Sequence, residues 1–342
     1  MRGRKRVMLL NPGLDNSGDV LLEREVEIVR VTTSDPAILA RQVKGVHGLI
    51  ARGGVRVTGE VLAAADVLEV VATSGAGYDH IDVDACSERA IPVVNNTGLN
   101  SVSVAEHTIG LMVGLAKAIP VTDHMLRSEG WQSRMTYAGE RIGFEIDGRT
   151  LGIVGVGNIG SRLTQKCRAA FNMQVLAYDP YVSRERMQEF GAIKVDRLDD
   201  MLPQVDFLSI HAPHTKETHH IISGPQLAKM KRTAYLINCA RGPLVDEQAL
   251  LEALRHKVIA GAALDVFEPE PAPDTNPLYQ LPNVIVTPHL AGVTGEAVKR
   301  MAIGAAEQVL QVLRGERPPR LVNPEVWAQF LERGGAREPT SI

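Results

Sequence analysis

Three short polar segments, each directly after an apolar run, carry residues suited to acid–base chemistry on an anion. They are Asn238-Cys239-Ala240-Arg241-Gly242, Asp265-Val266-Phe267-Glu268-Pro269-Glu270-Pro271 and Pro288-His289-Leu290-Ala291-Gly292. An arginine holds a carboxylate through two parallel N–H···O bonds, a geometry that lysine does not reproduce. A carboxylate beside an imidazole fixes the ring tautomer and favours the protonated ring, so Glu270 and His289 form a candidate acid–base pair. Singly, Arg241 reads equally well as a surface ion pair, Glu270 as a solvated loop acid and His289 as a hydrogen-bonded core residue. Their shared position after consecutive apolar runs argues against coincidence.

A second constellation is Thr150-Leu151-Gly152-Ile153-Val154-Gly155-Val156-Gly157-Asn158-Ile159-Gly160, an apolar strand running through G-x-G-x-x-G into a helical stretch. Gly155 permits the tight turn, Gly157 lets backbone approach a pyrophosphate, and Gly160 allows close helix–strand packing. The phosphates would sit on the helix N-terminus, where unpaired N–H groups favour anions. About twenty residues on, the next strand ends at Asp179, where an acid would bind a ribose 2′-hydroxyl. A carboxylate there repels a 2′-phosphate and no arginine adjoins it in Pro180-Tyr181, so NAD is the expected cofactor, with Arg184 near enough to leave dual use open.

The elements that must position these residues are short apolar strands alternating with helical stretches, the pattern of a parallel α/β protein. Expected strands at 7–10, 48–51, 70–73 and 92–95 make one small doubly wound unit. Expected strands at 150–154, 174–178, 207–210, 234–238, 259–264 and 284–287 give the six that a dinucleotide-binding domain requires. Between the two series lies an apolar helix at about 103–119, followed by a polar, aromatic-containing stretch at 127–148. A final amphipathic helix spans 295–313 and is broken by Arg317-Pro318-Pro319, and the last dozen residues read as a polar tail.

The 342 residues suffice for two compact cores. A net charge of -3 gives no basic footprint for nucleic acid. Cys86, Cys167 and Cys239 are widely spaced with no CxxC pair, which argues against a disulfide framework or structural zinc and fits a reducing compartment. The basic start, Met1 to Arg6, meets only a short strand, so no secretory signal is expected. The apolar run 104–119 contains Glu106, His107 and Lys117 and is too short to span a bilayer. A cytoplasmic protein with no membrane partner is expected.

Taken together, the chain resembles the D-isomer-specific 2-hydroxyacid dehydrogenase family from about residue 45 to 325. The resemblance rests on Ala76-Gly77-Tyr78-Asp79-His80-Ile81-Asp82, Val104-Ala105-Glu106-His107-Thr108, the glycine fingerprint, Asn238 to Gly242, Leu264-Asp265-Val266-Phe267-Glu268 and Pro288-His289. It implies a Rossmann NAD domain at 104–295, a discontinuous flavodoxin-like substrate domain at 1–103 plus 296–330, and a tail at 331–342. It also implies closure of the two domains, with hinges near 101–106 and 292–296. By the same resemblance, Arg241 binds the substrate carboxylate and polarises the carbonyl oxygen, His289 is the general acid–base and Glu270 its partner. Backbone N–H groups of Gly75, Ala76 and Gly77 hold the other side of the carboxylate. Asn158 and Ile159 meet the pyrophosphate, Asp179 the adenosine ribose, and Ala212, Cys239 and Asp265 the nicotinamide side, with Ala76, Ala240, His289 and Gly292 as further cofactor contacts. Arg52 matches a position where phosphoglycerate enzymes place a phosphate-binding arginine, although Thr73-Ser74-Gly75 lacks a second one.

The implied reaction is hydride transfer between nicotinamide and a small D-2-hydroxy or 2-keto acid, such as 3-phosphoglycerate or glycerate/hydroxypyruvate, by a homodimer built through the helix following Ser103. The resemblance is to members without a C-terminal regulatory domain. Two other readings compete. Formate and phosphite dehydrogenases share the fold, but the formate enzymes carry glutamine where Glu270 stands. NADH-binding corepressors keep the same catalytic trio without turnover. No metal is expected: the spacing of His211, His214, His219 and His220 matches no standard zinc pattern, and they flank a turn with Pro213 that resembles a cofactor contact. Cys239 reads as a packing residue, His107 as a core residue, and Trp131 and Tyr137 as cover for a pocket or an oligomer contact.

Overall fold

The computed structural model describes residues 3–11, 13–52, 54–140 and 143–334, so Pro12, Gly53, part of the 127–148 stretch and the tail from 335 lie outside the described residues. The chain divides into two compact units, 1–100 with 293–342 and 101–292. The expected cuts, at 103/104 and 295/296, lie three residues further on in each case.

In the first unit, β1 (Arg6–Leu10), β2 (Glu27–Val31), β3 (Gly48–Ala51), β4 (Val70–Thr73) and β5 (Val93–Val94) form a parallel sheet in the order 2-1-3-4-5. This is the flavodoxin-like order, and helices cover both faces. β3 and β4 are buried along their whole length, as parallel strands covered on both faces must be. The fifth strand, β2, adds to the four that the sequence predicts. It lies at the sheet edge with Glu27 and Arg30 exposed, so its sequence is charged and alternating rather than continuously apolar. The helix Gly295–Leu313 returns to pack on this sheet, capped by the Thr294 hydroxyl accepting from the Ala297 N–H.

In the second unit, β6 (Thr150–Val154), β7 (Gln174–Tyr178), β8 (Ile193–Lys194), β9 (Phe207–Ile210), β10 (Tyr235–Asn238), β11 (Gly261–Leu264) and β12 (Val284–Val286) are all parallel, in the order 12-11-10-9-6-7-8. Counted from β6, the order is that of the dinucleotide fold with a seventh strand added. The two-residue β8 is the strand the sequence did not reveal, again at an edge.

The helix Ser101–Lys117 buries Val104, Ala105, Thr108, Leu111 and Met112 against this sheet and against the helix Asn158–Phe171. It stops short of the expected Ile119 because Pro120 has no N–H to continue the ladder and its ring would clash with the Ala116 carbonyl, which accepts from the Phe144 N–H instead. Ala118 turns left-handed, and the next helix, Ile119–Glu129, leaves at 58°. The polar stretch at 127–148 contains a further helix, Ser133–Glu140. No single helix among the described residues is long and apolar enough to cross a membrane.

Candidate active site

Strand register builds the site of the second unit. Tyr178 pairs with Val154, Val154 with Ile210, Ile210 with Asn238, Asn238 with Leu264, and Leu264 with Val286. These are the last residues of their strands. The residues one step beyond, Asp179, Gly155, His211, Cys239, Asp265 and Thr287, therefore form a second row along the carboxyl edge, where open α/β sheets bind ligands.

At the topological switch between β6 and β9 sits the glycine loop. Gly155 has φ +91°, and a Cβ there would lie 2.6 Å from the Ala212 nitrogen; at Gly160 it would lie 2.3 Å from the Gly155 oxygen. Only glycine fits either place. Gly157 differs: it faces open space, and it caps the helix Asn158–Phe171 without a side-chain hydrogen bond. The result is an uncovered helix N-terminus with room for a phosphate, so the residues present fit a dinucleotide. Asp179 accepts from the Val156 N–H at 2.9 Å and from the Tyr181 N–H at 3.0 Å, which ties the glycine loop to the end of β7. Arg184 is held by Asp196 and the Lys194 carbonyl.

The acid–base pair is assembled from two loops. His289 Nδ1 lies 2.7 Å from Glu270 Oε2, and the Phe267 N–H donates to the other oxygen at 3.0 Å. The Glu270 hydrogen bond raises the pKa of His289 above its usual value, with burial opposing it. Burial pushes Glu270 up, but the bond and charge of His289, the Phe267 N–H and the Arg241 charge together hold it below the usual carboxylate range. With Nδ1 engaged, Nε2 is the nitrogen left to exchange a proton with a ligand.

Arg241 follows β10 in a loop fixed by Asn238, whose side chain donates to the Arg241 carbonyl at 2.8 Å and accepts from the Ala240 N–H at 3.1 Å. A Cβ at Gly242 would lie 1.9 Å from the Phe267 oxygen. Glycine thus lets the arginine loop press against the loop bearing Glu270.

The sequence did not reveal what holds His289 in place. Its φ of +54° is left-handed, an arrangement that costs a non-glycine residue about 1–3 kcal/mol. Its N–H donates to the Asp265 carbonyl at 2.8 Å. The fully buried Asp265 carboxylate accepts from the Thr287 hydroxyl and from the Leu290 and Ala291 N–H groups. His107 Nε2 lies 3.2 Å from the Thr287 oxygen; because that hydroxyl gives its proton to Asp265, the imidazole donates. His107 is thus a hydrogen-bonded residue of the helix interior.

Burial pushes the Cys239 thiol up to about 12, which suits a packing residue rather than a nucleophile. His211 is held down at about 4 by burial and is neutral, with Nε2 on Ser209. His214, His219 and His220 stand apart from it, on the outer part of the same loop.

In the first unit, Gly75 donates its N–H to the Thr73 hydroxyl at 3.2 Å, which leaves those of Ala76 and Gly77 from the expected trio. The Ala76 carbonyl accepts from Asn95 and the Gly77 carbonyl from Thr73. Arg52 is buried and paired with Asp19 at 3.1 Å.

Residues 109–291 match the family model described as D-isomer specific 2-hydroxyacid dehydrogenase, NAD binding domain. Over 319 residues the chain is 40% identical to the D-3-phosphoglycerate dehydrogenase of Methanocaldococcus jannaschii, covering 93% of this chain but 59% of that protein. It is 41% identical over 288 residues to the glyoxylate reductase of Thermofilum pendens, covering 84% of each. Among solved structures, the TT0316 protein of Thermus thermophilus superposes with a TM-score of 0.83 at 36% identity, over 93% of this chain and 99% of that one. The chain thus spans less than two thirds of the first of these relatives, and most of the second.

Proposed function

This chain belongs to the D-isomer-specific 2-hydroxyacid dehydrogenase family, and we propose that it interconverts a small D-2-hydroxy acid and its 2-keto acid with NAD. The observation that carries this reading is the 2.7 Å contact between His289 and Glu270, beside the Arg241 loop on the same carboxyl edge.

Bound NAD supplies the hydride acceptor or donor; everything else falls to side chains. Arg241 grips the substrate carboxylate and stabilises charge that develops on the 2-oxygen. In oxidation, His289 Nε2 takes the hydroxyl proton, and Glu270 stabilises the imidazolium that forms. In reduction, the protonated ring returns it. Gly155, Gly157, Asn158, Ile159 and Gly160 are proposed to hold the pyrophosphate and Asp179 the adenosine ribose. Ala212, Cys239, Ala240, Asp265 and Gly292 line the nicotinamide side.

In the first unit, the N–H groups of Ala76 and Gly77 are proposed for the substrate carboxylate. Arg52, already paired with Asp19, is a poor phosphate clamp, which favours an unphosphorylated acid such as glyoxylate or hydroxypyruvate. The proposed partners are this acid and a second copy of the chain, rather than nucleic acid or a membrane. Exposed Ile119, Leu126, Trp131 and Met135 supply apolar surface for a dimer, and three free, buried cysteines suit the cytoplasm.

The test follows NADH absorbance on adding hydroxypyruvate, glyoxylate, pyruvate or 3-phosphohydroxypyruvate. Oxidation of NADH by at least one of them is expected. Silence across the panel, with NADH binding intact, would overturn turnover in favour of a nucleotide-sensing role.

A further inference from the structure

Outside the acid–base pair, the second unit gathers another set of donors. His219, His220 and Glu268 each offer a ligand atom, and these atoms lie within 4.8 Å of one another. We propose that these three side chains bind one divalent transition-metal ion of the zinc, cobalt or nickel class, with His214 orienting His219.

The two histidines come from the loop after β9 and the carboxylate from the loop after β11. His220 Nε2 stands 2.8 Å from Glu268 Oε2. The His219 and His220 rings stack with centroids 4.0 Å apart and planes inclined by 20°. His214 Nε2 lies 3.3 Å from His219 Nδ1, which leaves His219 Nε2 for an ion. A hydrogen bond to the far nitrogen of a ligating imidazole is the usual way its ring is aimed. The backbone is tethered on both sides: the His220 N–H donates to the Pro243 carbonyl at 2.8 Å, and the Glu268 N–H to Glu247 at 3.0 Å.

Two imidazoles and one carboxylate make the donor set of an open, three-ligand zinc site, with bonds of about 2.0–2.2 Å and a fourth position for water. Ligand atoms around such an ion stand roughly 3.3–3.6 Å apart. Closing from 4.8 Å takes side-chain movement of about an ångström, and His219 is exposed. Imidazole donors favour zinc, cobalt, nickel or copper over magnesium and calcium, which take oxygen. The spacing of the histidines alone conceals this set, because its carboxylate is 48 residues away from His220.

The site also touches the chemistry. Glu268 lies two residues from Glu270, and Glu270 is bonded to the Phe267 N–H. An ion at Glu268 therefore ties the loop of the acid–base pair to the loop after β9.

The experiment uses the full chain, free of any affinity tag and stripped with chelator, titrated with Zn2+ by calorimetry and with Co2+ by visible absorption. One saturable equivalent, cobalt bands of a low-coordinate site, and no heat with Mg2+ are expected. His219→Gln and Glu268→Gln, each checked for folding by circular dichroism, weaken binding by about tenfold or more. His256→Gln, an exposed histidine beside Glu252, leaves it unchanged. The proposal fails if no saturable binding occurs, if the His219→Gln/Glu268→Gln double variant still binds one equivalent, or if His256→Gln weakens binding equally. These readouts do not depend on turnover, so they stand or fall separately from the proposed reaction.

Discussion

Glu270 and His289 each set the protonation of the other, and that makes pH the sharpest probe at the scale of single residues. The carboxylate raises the imidazole above its usual pKa. Reduction needs the protonated ring, so its rate falls as pH rises through that value; oxidation needs the neutral ring and rises through it. Glu270→Gln removes the raising influence, and both limbs are expected to move to lower pH, read from kcat/KM profiles. A limb that stays in place would separate Glu270 from the proton transfer. The two arginines should part company as clearly. Arg241→Ala is expected to lower kcat/KM on an unphosphorylated acid by about a hundredfold or more. Arg52→Ala should change it little but lower stability by about 2 kcal/mol, because it leaves half-buried Asp19 with Arg30 alone. Equal activity losses would refute that division of labour.

Elements decide which substitutions a position tolerates. Gly157 and Gly160 are three residues apart in one turn, yet their surroundings are opposite: open space at the first, backbone 2.3 Å away at the second. Gly157→Ala should leave the melting temperature nearly unchanged while weakening NAD binding by about tenfold, since only the approach of the pyrophosphate is obstructed. Gly160→Ala should lower both, because the helix must move off β6. Loss of stability in Gly157→Ala, or its absence in Gly160→Ala, would contradict this placement. The same scale explains the two strands the sequence concealed. β2 and β8 lie at sheet edges and need no continuous apolar run, whereas the central strands are covered on both faces and announce themselves by composition.

Across the whole molecule, the three thiols share one condition. Cys86 is free and buried in a core of the first unit, Cys167 and Cys239 in one core of the second, and burial pushes each up to about 12. A disulfide reagent at pH 8 should therefore label them only as fast as the chain unfolds, and all three promptly in denaturant. Rapid labelling of Cys239 in the native protein would restore it as a candidate nucleophile. The two units have separate hydrophobic cores, so each sheet is stabilised by burial within its own layers.

Local sequence was enough for the family, the parallel α/β class and the glycine turn, and it singled out Arg241, Glu270 and His289 as the proposed catalytic residues. Each depends on residue types next to one another in the chain: an apolar strand, then glycine or a charged group at its end. Tertiary structure alone decided what meets across loops. Register aligned Asp179, Gly155, Asp265 and Thr287 in one row, Asp265 became the anchor of the His289 turn, Arg52 was committed to Asp19, and Glu268 was brought to two histidines. Those contacts join residues tens of positions apart. Their pairing is fixed by strand order and close packing, quantities that no short stretch of sequence contains.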